Sequence, residues 1–202
     1  AKALAKGSEL PFQLRDGRNQ AAKQAIARAA VRHLPHGRHA LAMTGGTTTT
    51  EVLRCLDHRR DLTLVTNSVG LAIEAAQHGQ TRVLIAGGIL RTTSLELVGS
   101  LTESTFKQIN VGTAIIGCDG VSLEGGITTH DDVEAATNAT MIDRAQRVIC
   151  VADGSKIGTV TLARMADATK MNLLITDDTA DEAELARIRR EGIEVEVVTV
   201  SA

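Results

Sequence analysis

The chain has 202 residues, 43% of them hydrophobic, with two Phe and neither Trp nor Tyr. That length and content suit one domain with an aliphatic core, and they leave no aromatic platforms for stacking single-stranded nucleic acid. The net charge of −2 argues against a free-standing DNA-binding module.

The charge is unevenly spread. Residues 1–38 carry Lys2, Lys6, Arg15, Arg18, Lys23, Arg28, Arg32 and Arg38 against Glu9 and Asp16. A basic end on an acidic body reads first as a solvated helix face, and second as a segment lying beside nucleic acid held by another part. Cys55, Cys118 and Cys150 are widely spaced and odd in number. With no secretory or membrane-spanning pattern, a reducing cytoplasm is the expected compartment. His33, His36 and His39 surround a Pro35-His36-Gly37 turn, where a spacing of three does not align ligands, so neither a metal site nor a cofactor is expected.

In chain order, residues 1–18 show no sustained period and read as an arm, leaving residues 19–202 as the domain. Ala22, Ala25, Ile26, Ala29, Ala30 and Leu34 follow helical spacing up to Pro35. Ala40–Met43 is the first predicted strand, and Thr47–Thr50 lead into a helix with Val52, Leu53 and Leu56. Leu62–Thr66 is a strand, followed by a helix that Asn67 or Ser68 caps and Gly79 closes. Arg82–Ala86, Thr113–Gly117, Arg147–Ala152, Asn172–Thr176 and Ile193–Val200 are further strands. A helix from Asp132 to Gln146 separates two of them. Thr48/Glu51, Ser100/Glu103 and Thr179/Glu182 have capping-box spacing. Strands alternating with helices predict an α/β fold with a mostly parallel central sheet and helices on both faces.

Sheets of that kind place ligands beyond the carboxyl ends of their strands. There the chain carries Thr44-Gly45-Gly46-Thr47-Thr48-Thr49-Thr50. Glycines let the backbone turn with its amides facing an anion, the helix start adds partial positive charge, and hydroxyls donate to phosphate oxygens. A mere helix cap at Thr48 is the competing reading. No Lys follows the glycines, so this is not a Walker loop. Thr66-Asn67-Ser68, Gly87-Gly88, Asp119-Gly120 and Asp153-Gly154-Ser155-Lys156 stand at the other strand ends. Turn formation or capping is the alternative for each of them. Lys156 is the cation expected to meet the anion, and Asp119 the acceptor for hydroxyls. Cys118 and Cys150 read as core residues lying in strands.

The series Thr44–Thr49, Leu64–Ser68, Ala86–Arg91, Val98-Gly99, Gly117–Gly120, Gly126–His130, Val151–Gly158 and Ile175–Asp177 resembles the sensor domain of DeoR-family transcription regulators. Leu10-Pro11-Phe12 with Arg15 is similar to the family's linker. The resemblance implies a ribose-5-phosphate-isomerase-like fold, a phosphorylated sugar or sugar catabolite as effector, and a homo-oligomer. It also implies operator binding, in a repressor, through an N-terminal winged helix-turn-helix domain, with no such pattern preceding Pro11. Its expected ligand residues are Gly45, Gly46, Thr47, Thr48, Thr49, Thr66, Asn67, Ser68, Gly87, Gly88, Arg91, Asp119, Gly120 and Lys156. Two positions depart from the family: Thr44 where Asp is common, and Asn138 where many members have Lys. The rival readings are a sugar-phosphate isomerase using Asp119, Glu124 and Glu134 as acid–base carboxylates, and a non-catalytic assembly module on the same fold. The first is weakened because Glu124-Gly125-Gly126 stands where such isomerases carry lysine, and glutamate opposes developing enediolate charge.

Overall fold

The computed structural model describes residues 9, 14, 17–56, 58–77 and 82–200. Most of the expected arm, the linker motif at Leu10–Phe12 and the helix end at Gly79 lie outside the described residues.

A seven-stranded parallel sheet forms the centre, in the order β12-β11-β9-β6-β1-β2-β3. Its strands are β1 (His39–Met43), β2 (Leu62–Thr66), β3 (Arg82–Ile85), β6 (Val111–Gly117), β9 (Ala145–Val151), β11 (Leu173–Asp177) and β12 (Glu194–Val198). The inner strands are apolar at successive positions because both faces are covered. Leu41, Met43, Ile115, Ile149, Leu173 and Ile175 point to one face, and pack with α1 (Gln20–Arg32), α2 (Thr47–Arg54) and α3 (Val69–Gln77). Ala42, Ala114, Ile116, Cys150 and Leu174 point to the other. There they meet Phe106 of α4 (Ser100–Lys107), Met141 of α5 (Asp132–Asp143) and Leu185 of α6 (Glu182–Arg190). This is the α/β architecture the alternation predicts.

Two smaller sheets were not foreseen. β4 (Ile89–Arg91) and β5 (Glu96–Val98) form a hairpin; β7 (Gly120–Ser122), β8 (Gly126–Thr129) and β10 (Ala163–Ala166) form an antiparallel sheet against the second face. Strands of three or four residues are too short to show an alternating period.

None of the three expected capping boxes forms. Gly46 precedes α2 and Gly99 precedes α4, each at positive φ and without a side-chain cap. The glycine turns the chain into the helix before the expected caps, leaving Thr48 and Ser100 inside the first turn. In α6 the cap is Asp181, which accepts from the Ala183 and Glu184 amides, while Thr179 donates instead to Asp177. Ser68 does start α3, its hydroxyl accepting from Leu71 N at 3.3 Å. The helix expected to reach Gln146 stops at Asp143, and β9 starts two residues before Arg147.

Candidate functional site

From β1, chain order runs through β2 and β3 to one edge and through β6, β9, β11 and β12 to the other. At such a reversal the loops leave the strand ends in opposite directions and open a crevice. Here the crevice is a cavity of about 500 Å³ beyond β1, β6 and β9. Gly45–Thr48, Gly117–Asp119, Val151–Asp153 and Ser155-Lys156 line it. So do Glu9, Arg18, Asn19 and Lys23 ahead of and within α1, Ser94 and Glu96 of the hairpin, Thr129-His130 at the end of β8, and Glu134 and Asn138 of α5.

Among the expected ligand residues, Gly45, Gly46, Thr47, Thr48, Asp119 and Lys156 are thus brought together. The others do not line the cavity. The Thr49 hydroxyl donates to Gly46 O at 2.9 Å. Thr66 donates to Met43 O and accepts from Ser68 N, and Ser68 caps α3. Asn67 lies behind the wall, its Nδ2 3.2 Å from both Leu97 O and Asn138 Oδ1. Gly87 O accepts from Thr102, and a Cβ on Gly88 would run into that hydroxyl and come within 2.8 Å of Val98 O. A Cβ on Gly120 would lie 2.5 Å from Thr159 O. These short polar residues and glycines satisfy or make room for backbone where strands end. Arg91 lies behind the wall, paired with Glu9, Asp131 and Glu134. Cys118 is not a strand residue; it follows β6 and lines the cavity. The hydrogen bond to Cys150 (Sγ–Sγ 3.9 Å), then burial, raises its thiol pKa.

The sequence reading missed Lys23, Ser94 and Glu96 as cavity residues. Lys23 is 3% exposed, not part of a solvated face. It carried a legible signal, because it stands three and four positions before the buried Ile26 and Ala27. Ser94 and Glu96 carried none, since the hairpin that delivers them was not recognised. Leu95 between them sits at φ 58°, a left-handed conformation costing a branched side chain on the order of 1–3 kcal/mol. Hydrogen bonds from Leu95 N to Arg91 O (2.8 Å) and from Val69 N to Leu95 O (3.0 Å) hold it there.

A continuous polar network crosses the cavity. Lys156 Nζ lies 3.2 Å from Asp119 Oδ1. The Thr129 hydroxyl lies 3.1 Å from Asp119 Oδ2 and 2.7 Å from Glu134 Oε1. Glu134 Oε2 takes Arg91 Nη1 at 3.1 Å. Glu96 is 2% exposed and accepts from Gly45 N at 2.5 Å. Burial, then the Glu134 charge, pushes the Glu96 carboxyl well above its usual range, against the opposing pull of the Gly45 amide and Asn138. Desolvation beside another carboxyl favours the protonated form, in which Glu96 donates as well as accepts. Across the cavity, Asp153 accepts from Asn19 Nδ2 at 3.1 Å and from Ser155. Glu124 stands apart, paired with Arg187 on the surface, so the carboxylate group expected for an isomerase does not assemble; Glu96 occupies the place beside Glu134. Among the described residues no group of His, Cys, Asp and Glu is arranged to hold a metal.

The model of the DeoR C-terminal sensor domain matches residues 18–178. This chain belongs to that family. Similar curated proteins include an HTH-type transcriptional regulator, GlpR, from Haloferax volcanii, 33% identical over 94% of this chain and 73% of that protein. The glycerol-3-phosphate regulon repressor of Escherichia coli K12 is 27% identical over 83% of this chain and 66% of that protein. The chain spans about two thirds to three quarters of the length of such relatives. Its fold is that of ribose-5-phosphate isomerase: the enzyme from Methanocaldococcus jannaschii superposes at a TM-score of 0.52 with 16% identity, covering 69% of this chain and 55% of the enzyme. No helix among the described residues is long and apolar enough to cross a membrane.

Proposed function

We propose that the sensor domain binds a phosphorylated sugar or sugar catabolite in this cavity, without transforming it, and that binding controls a repressor's hold on operator DNA. The observation that carries the reading is the meeting of the α2 N-terminus with three cations, Arg18, Lys23 and Lys156, in one cavity. The Gly45 amide is already taken by Glu96. The seat for the phosphate is therefore the first turn of α2, where the amides of Thr47 and Thr48 precede the first intrahelical donor, Thr50 N, and the Thr47 and Thr48 hydroxyls add donors. The name of the Escherichia coli relative, a glycerol-3-phosphate regulon repressor, supports a phosphorylated effector. Operator contact falls to a helix-turn-helix unit N-terminal to the sensor domain, as the HTH-type naming of the relatives suggests. Two half-sites read by a symmetric regulator call for self-association, and sedimentation that finds only monomer at tens of micromolar would oppose it.

Thermal melting against paired phosphorylated and free sugars tests the binding. At a hundredfold excess over Kd, linkage adds about 2.7 kcal/mol, so the phosphorylated member of a pair raises Tm and its free sugar does not. Equal shifts from both members, or none from any phosphorylated sugar, overturn the reading. The buried carboxylates Glu96, Asp119 and Glu134 keep one rival alive, acid–base isomerisation, and turnover of any bound sugar phosphate would establish it.

A further inference from the structure

The wall facing the α2 N-terminus has a chemistry of its own. Ser94 is 6% exposed, lines the cavity, and its Oγ has no hydrogen-bond partner among the described residues. An unsatisfied buried hydroxyl is unfavourable unless something takes its place in the bonding. Two residues on, Glu96 presents a carboxyl fixed from behind by Gly45 N. From α5, Glu134 and Asn138 line the same space, Glu134 backed by Arg91 and Asn138 by Asn67. The strained Leu95 between Ser94 and Glu96 is the means by which both side chains of the hairpin turn reach the cavity, and backbone strain of this kind persists where surrounding structure enforces it.

We infer that Ser94, Glu96, Glu134 and Asn138 form a hydroxyl-reading subsite that takes at least two adjacent hydroxyls of an uncharged polyol or sugar chain, fixing the identity of the effector. The assignment rests on the phosphate seat proposed above for α2. Hydroxyls both donate and accept, and this wall offers both: the Ser94 hydroxyl and the protonated Glu96 as donors, Glu134 and the Ser94 oxygen as acceptors. A ligand carboxylate in the same place meets the Glu134 charge. A ligand ammonium supplies donors only, and leaves the donors of the wall unmatched.

The test is calorimetric titration of the 202-residue chain with glycerol 3-phosphate, ribitol 5-phosphate and glucitol 6-phosphate. Alkyl phosphates of the same chain lengths, inorganic phosphate, 6-phosphogluconate and glucosamine 6-phosphate are the comparison probes. At least one polyol phosphate binds about tenfold or more tightly than its alkyl counterpart, the effect of hydrogen bonds that a chain without hydroxyls cannot make. Ser94→Ala and Asn138→Ala each remove most of that advantage and leave the alkyl phosphates and inorganic phosphate bound as before, which also shows the variants folded. The acid and amine probes bind more weakly than the polyol phosphate of nearest length. If no polyol phosphate exceeds its alkyl counterpart, or if both variants preserve the advantage while Thr47→Ala weakens every phosphate, the subsite is wrong and the phosphate seat stands. If Thr47→Ala leaves all phosphates unaffected, or no probe binds, the phosphate seat fails and the subsite with it.

Discussion

Gly45 N donates to Glu96 Oε1 at 2.5 Å, and a Cβ on Gly45 would lie 2.7 Å from Glu96 Cγ. The first glycine of the loop is therefore required by a buried side chain from a hairpin 51 residues away. Gly45→Ala forces Glu96 off that amide inside a packed wall, a clash worth about 1–3 kcal/mol. Denaturant unfolding will show that loss. A variant as stable as the parent would mean the wall yields freely.

The Glu96 carboxyl gives stability a distinct pH dependence. Its pKa in the folded chain lies above the usual 4.5, so above that pH the folded state binds more protons than the unfolded state. The stability it contributes is full below about pH 4.5 and is lost as pH rises through the raised folded value. Glutamine mimics the protonated acid and does not titrate. The Tm of Glu96→Gln minus that of the parent should therefore grow with pH from about 4.5 upward. A difference that stays flat with pH would refute the raised Glu96 carboxyl.

The threonines of α2 divide into two roles. The Thr49 and Thr50 hydroxyls donate to Gly46 O at 2.9 and 2.8 Å, and Thr49 is fully buried. Thr49→Ala should cost ~1 kcal/mol of stability in the absence of any ligand. Thr47→Ala and Thr48→Ala should cost less than that in the apo chain and weaken sugar-phosphate binding. Paired melting and titration measurements on the three variants separate the roles. Equal apo losses at all three positions would contradict the division.

Lys23→Ala and Lys156→Ala should both weaken a bound sugar phosphate, and the remaining affinity should depend less on salt because a charge-assisted contact is gone. Titration at two ionic strengths checks this. Removing Lys156 also leaves Asp119 without its partner at 3.2 Å, so its apo stability should fall as well.

Arg91 holds three carboxylates, Glu9, Asp131 and Glu134, and its side chain is 17% exposed. Arg91→Ala leaves these charges facing one another and should cost about 2 kcal/mol at neutral pH, below the range for a fully buried pair because water still reaches the site. Asp131 is held below its usual range by the Glu134 amide and Arg91 against the opposing pull of burial. The stability that this depression contributes is present above the usual 3.8 and is lost as pH falls through the lowered value. The penalty of Arg91→Ala should accordingly shrink in acid, as urea unfolding at neutral and acidic pH will show; a constant penalty would mean that packing, not charge, is lost.

What the sequence determined by itself is the layering and the place of the cavity. Runs such as Leu41-Ala42-Met43 and Ile149-Cys150-Val151 are apolar on both faces, which only a sheet covered on both sides can bury, and helical spacing between them supplies the covers. Parallel strands joined that way carry Gly45–Thr48, Asp119 and Lys156 to one end of the sheet, so those residues were legible before any coordinates. Tertiary structure alone decided the composition of the opposite wall. Glu96 reaches Gly45 through a hairpin of three-residue strands, too short to show a period, and through a leucine in a conformation that local sequence disfavours. Glu124 was excluded by a surface ion pair with Arg187, 63 positions along the chain. Thr49, Thr66 and Ser68 look in sequence like ligand donors equal to Thr47 and Thr48; they differ in meeting backbone partners away from the cavity. Burial and partner choice arise where distant segments meet, and a local pattern does not encode that meeting.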